Sequence, residues 1–167
     1  MKILCLNCRG IGNPAIVHDL KQLLIVTNPD IMFLSETEVR SNEMERIRIR
    51  CHMDGCFVVE ANGYRGRLAL LWKNEVKVTI KNFSNHHVDL LVLTTGMDNF
   101  HFKGFYGFAE LNLRDRSWDL LRKMGELIQG EWIIGGDFNA ILSNAEKSGE
   151  EENQVPLWRI SVLFLMI

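Results

Sequence analysis

The chain has 167 residues, 47% hydrophobic and 24% charged, enough for one domain with a real core and too regular in composition for a disordered or fibrous protein. Nineteen basic residues against twenty-one acidic ones give a formal charge of −2, which excludes a uniformly basic coat; any contact with nucleic acid must run through a local basic patch or through bound cations. The apolar run from Val162 to Ile167 is far too short to span a bilayer, and Met1 to Asn7 lacks the long apolar core of a signal peptide, so a soluble, intracellular protein is expected.

Lys2 to Asn7 (KILCLN) reads as a strand and Cys8 to Asn13 as a glycine-bearing loop. Asn13-Pro14 then starts a helix, with Asn as N-cap and Pro at the first helical position. Ile16, Leu20, Leu23 and Leu24 form its apolar stripe. Asn28-Pro29-Asp30 stops it, and Ile31 to Leu34, apolar at every position, is expected to be a strand buried on both faces. Strand, helix and strand in this order predict a β-α-β opening. Over residues 42–51 two periods compete. Met44, Ile47 and Cys51 suit a helix, whereas Ile47 to Arg50 alternates like a strand; the helix is preferred.

From Cys56 to Gly107 the pattern changes to short strands: Phe57 to Glu60, a turn at Asn62-Gly63, then Leu68 to Trp72. Val76, Val78 and Ile80 alternate with polar neighbours, as a half-exposed antiparallel strand should. Val88 to Leu93 and Phe100 to Tyr106 flank a Gly96-Met97-Asp98-Asn99 turn and predict a hairpin. A helix follows over about Leu113 to Gln129, with Trp118, Leu121, Met124 and Ile128 on one face. Glu131 to Gly135 is the next strand, ending in Gly136-Asp137-Phe138-Asn139. Beyond Ser143 the chain turns polar and acidic, then apolar. The fold class is mixed α/β (α+β), with antiparallel strands set between β-α units; a simple alternating parallel sheet is excluded.

Three of the apolar strands end in a polar residue: KILCL at Asn7, IMFLS at Glu36, and WIIGG at Asp137, with Asn139 close behind. Ligands in α/β proteins gather beyond the carboxyl ends of such strands. If these strands are neighbours, carboxylates and amides cluster at one edge of the core. That cluster suits phosphoryl chemistry, because Mg²⁺ takes oxygen ligands, keeps several waters and uses only one or two carboxylates. A second carboxylate could orient water, and amides can bind phosphate without adding repulsion. Taken singly, each residue has a plainer reading: Glu36 as a loop residue, Asn7 as a turn cap, Asp-Phe-Asn as an Asx turn. Tyr106, in Gly104-Phe105-Tyr106-Gly107, fits either a core aromatic or a site residue. Cys5 and Cys8 form a Cys-x-x-Cys, but Cys5 lies inside a strand, and Cys51 and Cys56 are spaced more widely; reduced structural thiols are expected. His86-His87 reads as a solvated loop between strands, and His18, His52 and His101 show no ligand spacing.

Together the segments LCLNCRGIGNP (4–14), NPDIMFLSET (28–37), LALLWK (68–73), GFYGFAE (104–110) and WIIGGDFNAIL (132–142) resemble the endonuclease/exonuclease/phosphatase superfamily, most closely the N-terminal endonuclease domains of plant non-LTR retrotransposons. The resemblance implies a four-layer α/β sandwich of two packed sheets with flanking helices. It implies Glu36 as the metal-binding glutamate and Asn7 beside it at the metal. Tyr106 would contact the phosphate region, and Asp137 would handle the nucleophilic water or leaving group while Asn139 positions the phosphate. The implied cofactor is Mg²⁺, with Mn²⁺ as an alternative; the implied partner is DNA, without a membrane, and the reaction is phosphodiester nicking at an intracellular location, the nucleus among the options. Oligomeric state is left open.

Departures from the family pattern set further expectations. The family's Ser-Asp-His motif does not occur in the 167 residues, Arg67 replaces a usual glycine, and QVPLWRISVLFLMI is not the amphipathic helix expected at that point. A partial domain over 1–147 with a divergent tail over 148–167 is therefore expected, its second sheet incomplete and its activity impaired. Competing readings are a non-catalytic α/β interaction fragment and a phosphatase of the same superfamily.

Overall fold

The computed structural model describes residues 1–60, 66–93, 99–126 and 132–139. The first two strands, β1 (Ile3–Asn7) and β2 (Ile31–Ser35), are buried at every residue, as their unbroken apolar runs require. They pair in parallel, from Ile3 opposite Ile31 to Asn7 opposite Ser35. The crossover between them is α1 (Pro14–Thr27). Asn13 caps it, its side-chain oxygen accepting from Ala15 N at 2.9 Å, and Asn28 ends it in the left-handed conformation at φ 44°. Ile16, Val17 and Leu20 are its buried residues, with Leu23 and Leu24 packed more loosely behind them.

Residues Ser41–Arg50 form α2, and the helical period prevails over the alternating one: Met44 and Ile47 are buried while Ile49 is exposed. Glu43 reaches back to accept from Arg40 N, and Arg48 donates to the carbonyls of Met53 and Asp54, tying down both ends. β3 (Gly55–Glu60) and β4 (Gly66–Trp72) follow, giving a four-stranded sheet ordered β1-β2-β4-β3, antiparallel except for β1-β2. The second sheet, ordered β5-β6-β7-β8, contains β5 (Lys77–Ser84), β6 (His87–Leu93), β7 (Phe100–Tyr106) and β8 (Trp132–Asp137), with β7-β8 parallel and the other pairs antiparallel. A 3₁₀ turn at Leu111–Leu113 leads into α3 (Arg114–Glu126).

Alternation along β1 and β2 decides the layering. Leu4, Leu6, Met32 and Leu34 face α1 and α2 in one core, whereas Ile3, Cys5, Ile31 and Phe33 face Leu90, Val92, Phe100 and Phe102 of the other sheet. Each fully buried leucine or phenylalanine contributes about 1.5–3 kcal/mol, so the two cores hold the sheets as one stack. On the far side α3 closes the sandwich, with Gly125 against the ring of Trp132 and Ser117 Oγ accepting from Phe108 N. The mixed α/β fold class and the two packed sheets with flanking helices are thus borne out. Among the described residues no helix is long and apolar enough to cross a membrane.

Two sequence expectations are overturned. Trp118 is 43% exposed, whereas Met124 is buried as expected, together with Ser117; the large aromatic alone departs from the expected face, and Ile128 lies outside the described residues. His86-His87 is no solvated loop. His87 opens β6 and is buried, and His86 is half-buried against aromatic rings, because β6 starts one residue earlier than the apolar pattern indicated. Cys5 and Cys8 are free thiols in different cores, and burial pushes both up to about 12, consistent with protonated structural cysteines. The turns expected at Asn62-Gly63 and at residues 96–98, the end of the third helix, the start of the last strand at Glu131 and the tail over 148–167 lie outside the described residues.

Candidate active site

Both parallel pairs run their carboxyl ends to the same edge of the sandwich. Asn7 stands opposite Ser35 in one sheet and Tyr106 opposite Asp137 in the other. Close contact between the layers brings the two edges together: a Cβ built on Gly135 of β8 would lie 2.8 Å from Cys5 Sγ of β1. Four strand ends therefore meet at one place.

The loops that follow are fixed to one another. Cys8 N donates to Ser35 O at 2.9 Å, Gly10 N to Glu36 O at 2.8 Å, and Ile11 N to Thr37 O at 3.0 Å, so the chain beyond β1 is zipped to the chain beyond β2. Glu36 is held there at φ 50°, a conformation that side-chain-bearing residues seldom adopt and that costs about 1–3 kcal/mol. Asn139 is also left-handed, at φ 49°, which asparagine tolerates better. The strain at Glu36 turns its carboxylate toward the other strand ends.

Asn7 is 4% exposed and Asp137 6%. Asn7 Nδ2 donates to Glu36 Oε1 at 2.9 Å and to Asp137 Oδ2 at 2.7 Å, while its Oδ1 accepts from Arg9 N at 3.2 Å. These partners set the amide's orientation, since the flipped form would press an oxygen against two carboxylates. One nitrogen thus spans Glu36 and Asp137. Tyr106 donates its hydroxyl to the same Glu36 Oε1 at 2.8 Å. Burial, then the bond to Glu36 and the nearby negative charges, push the Tyr106 phenol above its ordinary range, so it remains a protonated donor. Asp137 Oδ1 accepts from Asn139 N at 2.9 Å, and Asn139 Nδ2 donates to Gly107 O at 2.8 Å. Gly107 N returns a bond to Asp137 O at 2.8 Å.

All five residues singled out in the sequence, Asn7, Glu36, Tyr106, Asp137 and Asn139, therefore share one hydrogen-bonded cluster. Among the described residues no three histidine, cysteine, aspartate or glutamate side chains converge on one point, so a thiolate or imidazole cage of the zinc type is not formed there. The donor set is two carboxylates and amides, and Glu36 Oε2 takes no hydrogen bond among the described residues. Such oxygen donors fit a hard, largely hydrated cation. Sequence reasoning missed His86 and Phe108, which border the cluster through Tyr106. The aromatic run Phe105-Tyr106-Gly107-Phe108 was their only signal.

The sequence matches the Endonuclease/Exonuclease/phosphatase family over residues 4–159. Among solved structures, it resembles D. rerio TDP2 complexed with single strand DNA product (17% identity, TM-score 0.62), covering 89% of this chain and 64% of that one. The endonuclease domain of TRAS1, a telomere-specific non-LTR retrotransposon, matches at 14% identity and TM-score 0.60 over 84% of this chain and 61% of its own. An AP endonuclease from Archaeoglobus fulgidus matches at 16% identity and TM-score 0.63 over 86% and 59%. At these identities the likeness is one of fold, and the chain spans less than two thirds of each structure's length. No curated protein sequence gives a significant match.

Proposed function

The chain belongs to the endonuclease/exonuclease/phosphatase family, and from that premise we propose that its five-residue cluster is the site of a Mg²⁺-dependent phosphodiesterase that nicks DNA, of the retrotransposon type. The observation that carries this reading is the sharing of Asn7 Nδ2 between Glu36 and Asp137, with Tyr106 on the same Glu36 oxygen.

Glu36 would hold the cation, Mg²⁺ or Mn²⁺, which when bound offsets charge on the phosphate oxygens. Asn7, with both amide hydrogens engaged by carboxylates, takes the part of a spacer that fixes Glu36 and Asp137 relative to each other; we assign it this role in preference to direct ligation. Asp137 orients the attacking water or the leaving oxygen. The Asn139 side-chain amide donates to Gly107 O and also bonds the Tyr106 hydroxyl, so it would turn from Tyr106 to position a phosphate oxygen. Tyr106, kept protonated, would turn its one hydroxyl hydrogen from Glu36 to the phosphate region when the cation occupies Glu36. DNA as substrate is supported by the DNA product in the TDP2 structure and by TRAS1 being an endonuclease domain. Turnover by these residues is proposed to be impaired, since the family's Ser-Asp-His motif does not occur among them.

The test combines oligonucleotide binding with supercoiled-plasmid nicking, each with Mg²⁺ or EDTA. Metal-dependent binding and slow nicking are expected, and Glu36→Gln and Asp137→Asn should abolish the nicking and weaken the binding. DNA binding that ignores Mg²⁺ and is unchanged in Glu36→Gln would refute the proposal.

A further inference from the structure

Beside the cluster lies an aromatic pair that the chemistry above leaves unused. His86, in the turn between β5 and β6, packs on Phe108 with ring centroids 3.9 Å apart and planes tilted by 32°, and its plane is within 8° of Tyr106 at 6.4 Å. Its Nδ1 lies 2.9 Å from the Tyr106 carbonyl oxygen. A carbonyl can only accept, so Nδ1 carries the hydrogen and the ring's orientation is fixed. Tyr106, His86 and Phe108 form a row leading away from Glu36; Tyr106 is buried, and the rings of His86 and Phe108 are half-exposed.

The ledge is braced on every side. Tyr106 N donates to His86 O at 2.8 Å, and Gly107 is bonded to both Asp137 and Asn139. Phe108 N donates to Ser117 Oγ of α3 at 2.9 Å. Gly107 approaches the next strand so closely that a Cβ there would meet Phe138 O at 2.1 Å. Three elements thus fix the backbone that carries a partly solvated phenylalanine beside the candidate site, and His86 packs on its ring. The chain's charge of −2 adds a second argument: a protein without a basic coat must draw affinity for a nucleic acid strand from other contacts, and stacking on aromatic faces is one that tolerates any base.

We propose that Phe108, backed by His86, is a stacking platform for the nucleobase next to the phosphate held at Glu36. The proposal rests on the DNA-nicking reading and specifies how that site grips its strand. The base lies on the solvent side of Phe108, and the bracing means that its ordering cost is already met before binding.

The test uses the full chain with Mg²⁺ and single-stranded DNA oligonucleotides carrying 2-aminopurine at successive positions, read by base fluorescence and by anisotropy of an end label. The wild type should quench one position strongly. Phe108→Ala and Phe108→Leu should lose that quench and raise Kd roughly 5- to 100-fold, whereas Phe108→Trp should keep both. The leucine variant retains apolar bulk, so a folded protein without a π face is tested even if the alanine variant unfolds. Unchanged quench and affinity in Phe108→Leu would overturn the platform. So would a wild type that binds and nicks DNA with no position quenched, and then the nuclease reading would survive; a wild type with neither Mg²⁺-dependent binding nor nicking would remove both.

Discussion

Replacing Gly136 by alanine should unfold the protein partially and disarm the site together. Gly136 lies at φ 146°, and a Cβ there would sit 1.9 Å from Phe105 O, with Phe105 C and N also inside 3 Å. These are backbone atoms of β7, paired with Gly136 in register, so no side-chain rotation can relieve the contact. The backbone conformation costs about 1–3 kcal/mol for a residue with a Cβ. Pushing β8 from β7 weakens one or two ladder hydrogen bonds at about 1 kcal/mol each. Reduced freedom of the unfolded chain returns about 0.4–1 kcal/mol. The net loss is about 3 kcal/mol, a large share of the roughly 5–15 kcal/mol that holds a domain together. In urea, with a slope near 2 kcal/mol/M, the unfolding midpoint should fall by about 1.5 M. Because Asp137 is the next residue, metal-dependent DNA binding should also fall in the protein that remains folded. The control is Gly125→Ala in α3, whose Cβ would meet Trp132 at an ordinary 3.6 Å and which should gain about 0.5–1 kcal/mol from helix propensity. A loss under 1 kcal/mol for Gly136→Ala, or equal effects at the two glycines, would refute the reasoning.

On the outer face of the second sheet, Lys103 Nζ lies 3.0 Å from Asp89 Oδ2 with only 3% of its side chain exposed, and His101 Nδ1 is 3.1 Å from Asp89 Oδ1. Lys103→Met should cost about 3–5 kcal/mol in urea unfolding by stranding a buried carboxylate, and the double variant Asp89→Leu/Lys103→Met should recover most of it. Burial, then the charge of Lys103, hold His87 below its ordinary value near 6.5, with Asp89 opposing. The unfolded chain therefore takes up this proton first as the pH falls, so His87 should cost no stability above about 6.5 and should lower it progressively below. Melting curves against pH should show this slope flatten in His87→Gln. Tyr106→Phe removes a hydroxyl from Glu36 Oε1, and if nicking is measurable it should fall roughly 10- to 100-fold, as loss of a bond to a charged group predicts.

Much of this was legible in the sequence because the signals were local. The unbroken apolar runs at Ile3 and Ile31 could only be strands buried twice, and Asn13-Pro14 could only open a helix. The site was legible one step further, since polar residues at three strand ends could meet if the strands were neighbours. Tyr106 completes it from the fourth strand end. What stayed hidden depends on contacts between distant segments. Nothing in Asn7 alone shows that one amide nitrogen spans two carboxylates separated by 29 and 130 positions. His86 looked solvated because two histidines beside a turn are polar by type, and its burial comes from Phe108, far along the chain. Trp118 misled for the opposite reason: size suggested burial, but its helix presents Ser117 and Met124 inward.

The central claim is that Glu36 holds the cation while Asn7 fixes it beside Asp137 in one site. Its most direct test is Mn²⁺ titration of the ¹⁵N-labelled chain, following the side-chain amide resonances. Asn7 Nδ2 should broaden first, at substoichiometric Mn²⁺, with Asn139 next, and both effects should vanish in Glu36→Gln. Broadening that begins at other acidic positions while Asn7 stays sharp, or that persists unchanged in Glu36→Gln, would contradict the account.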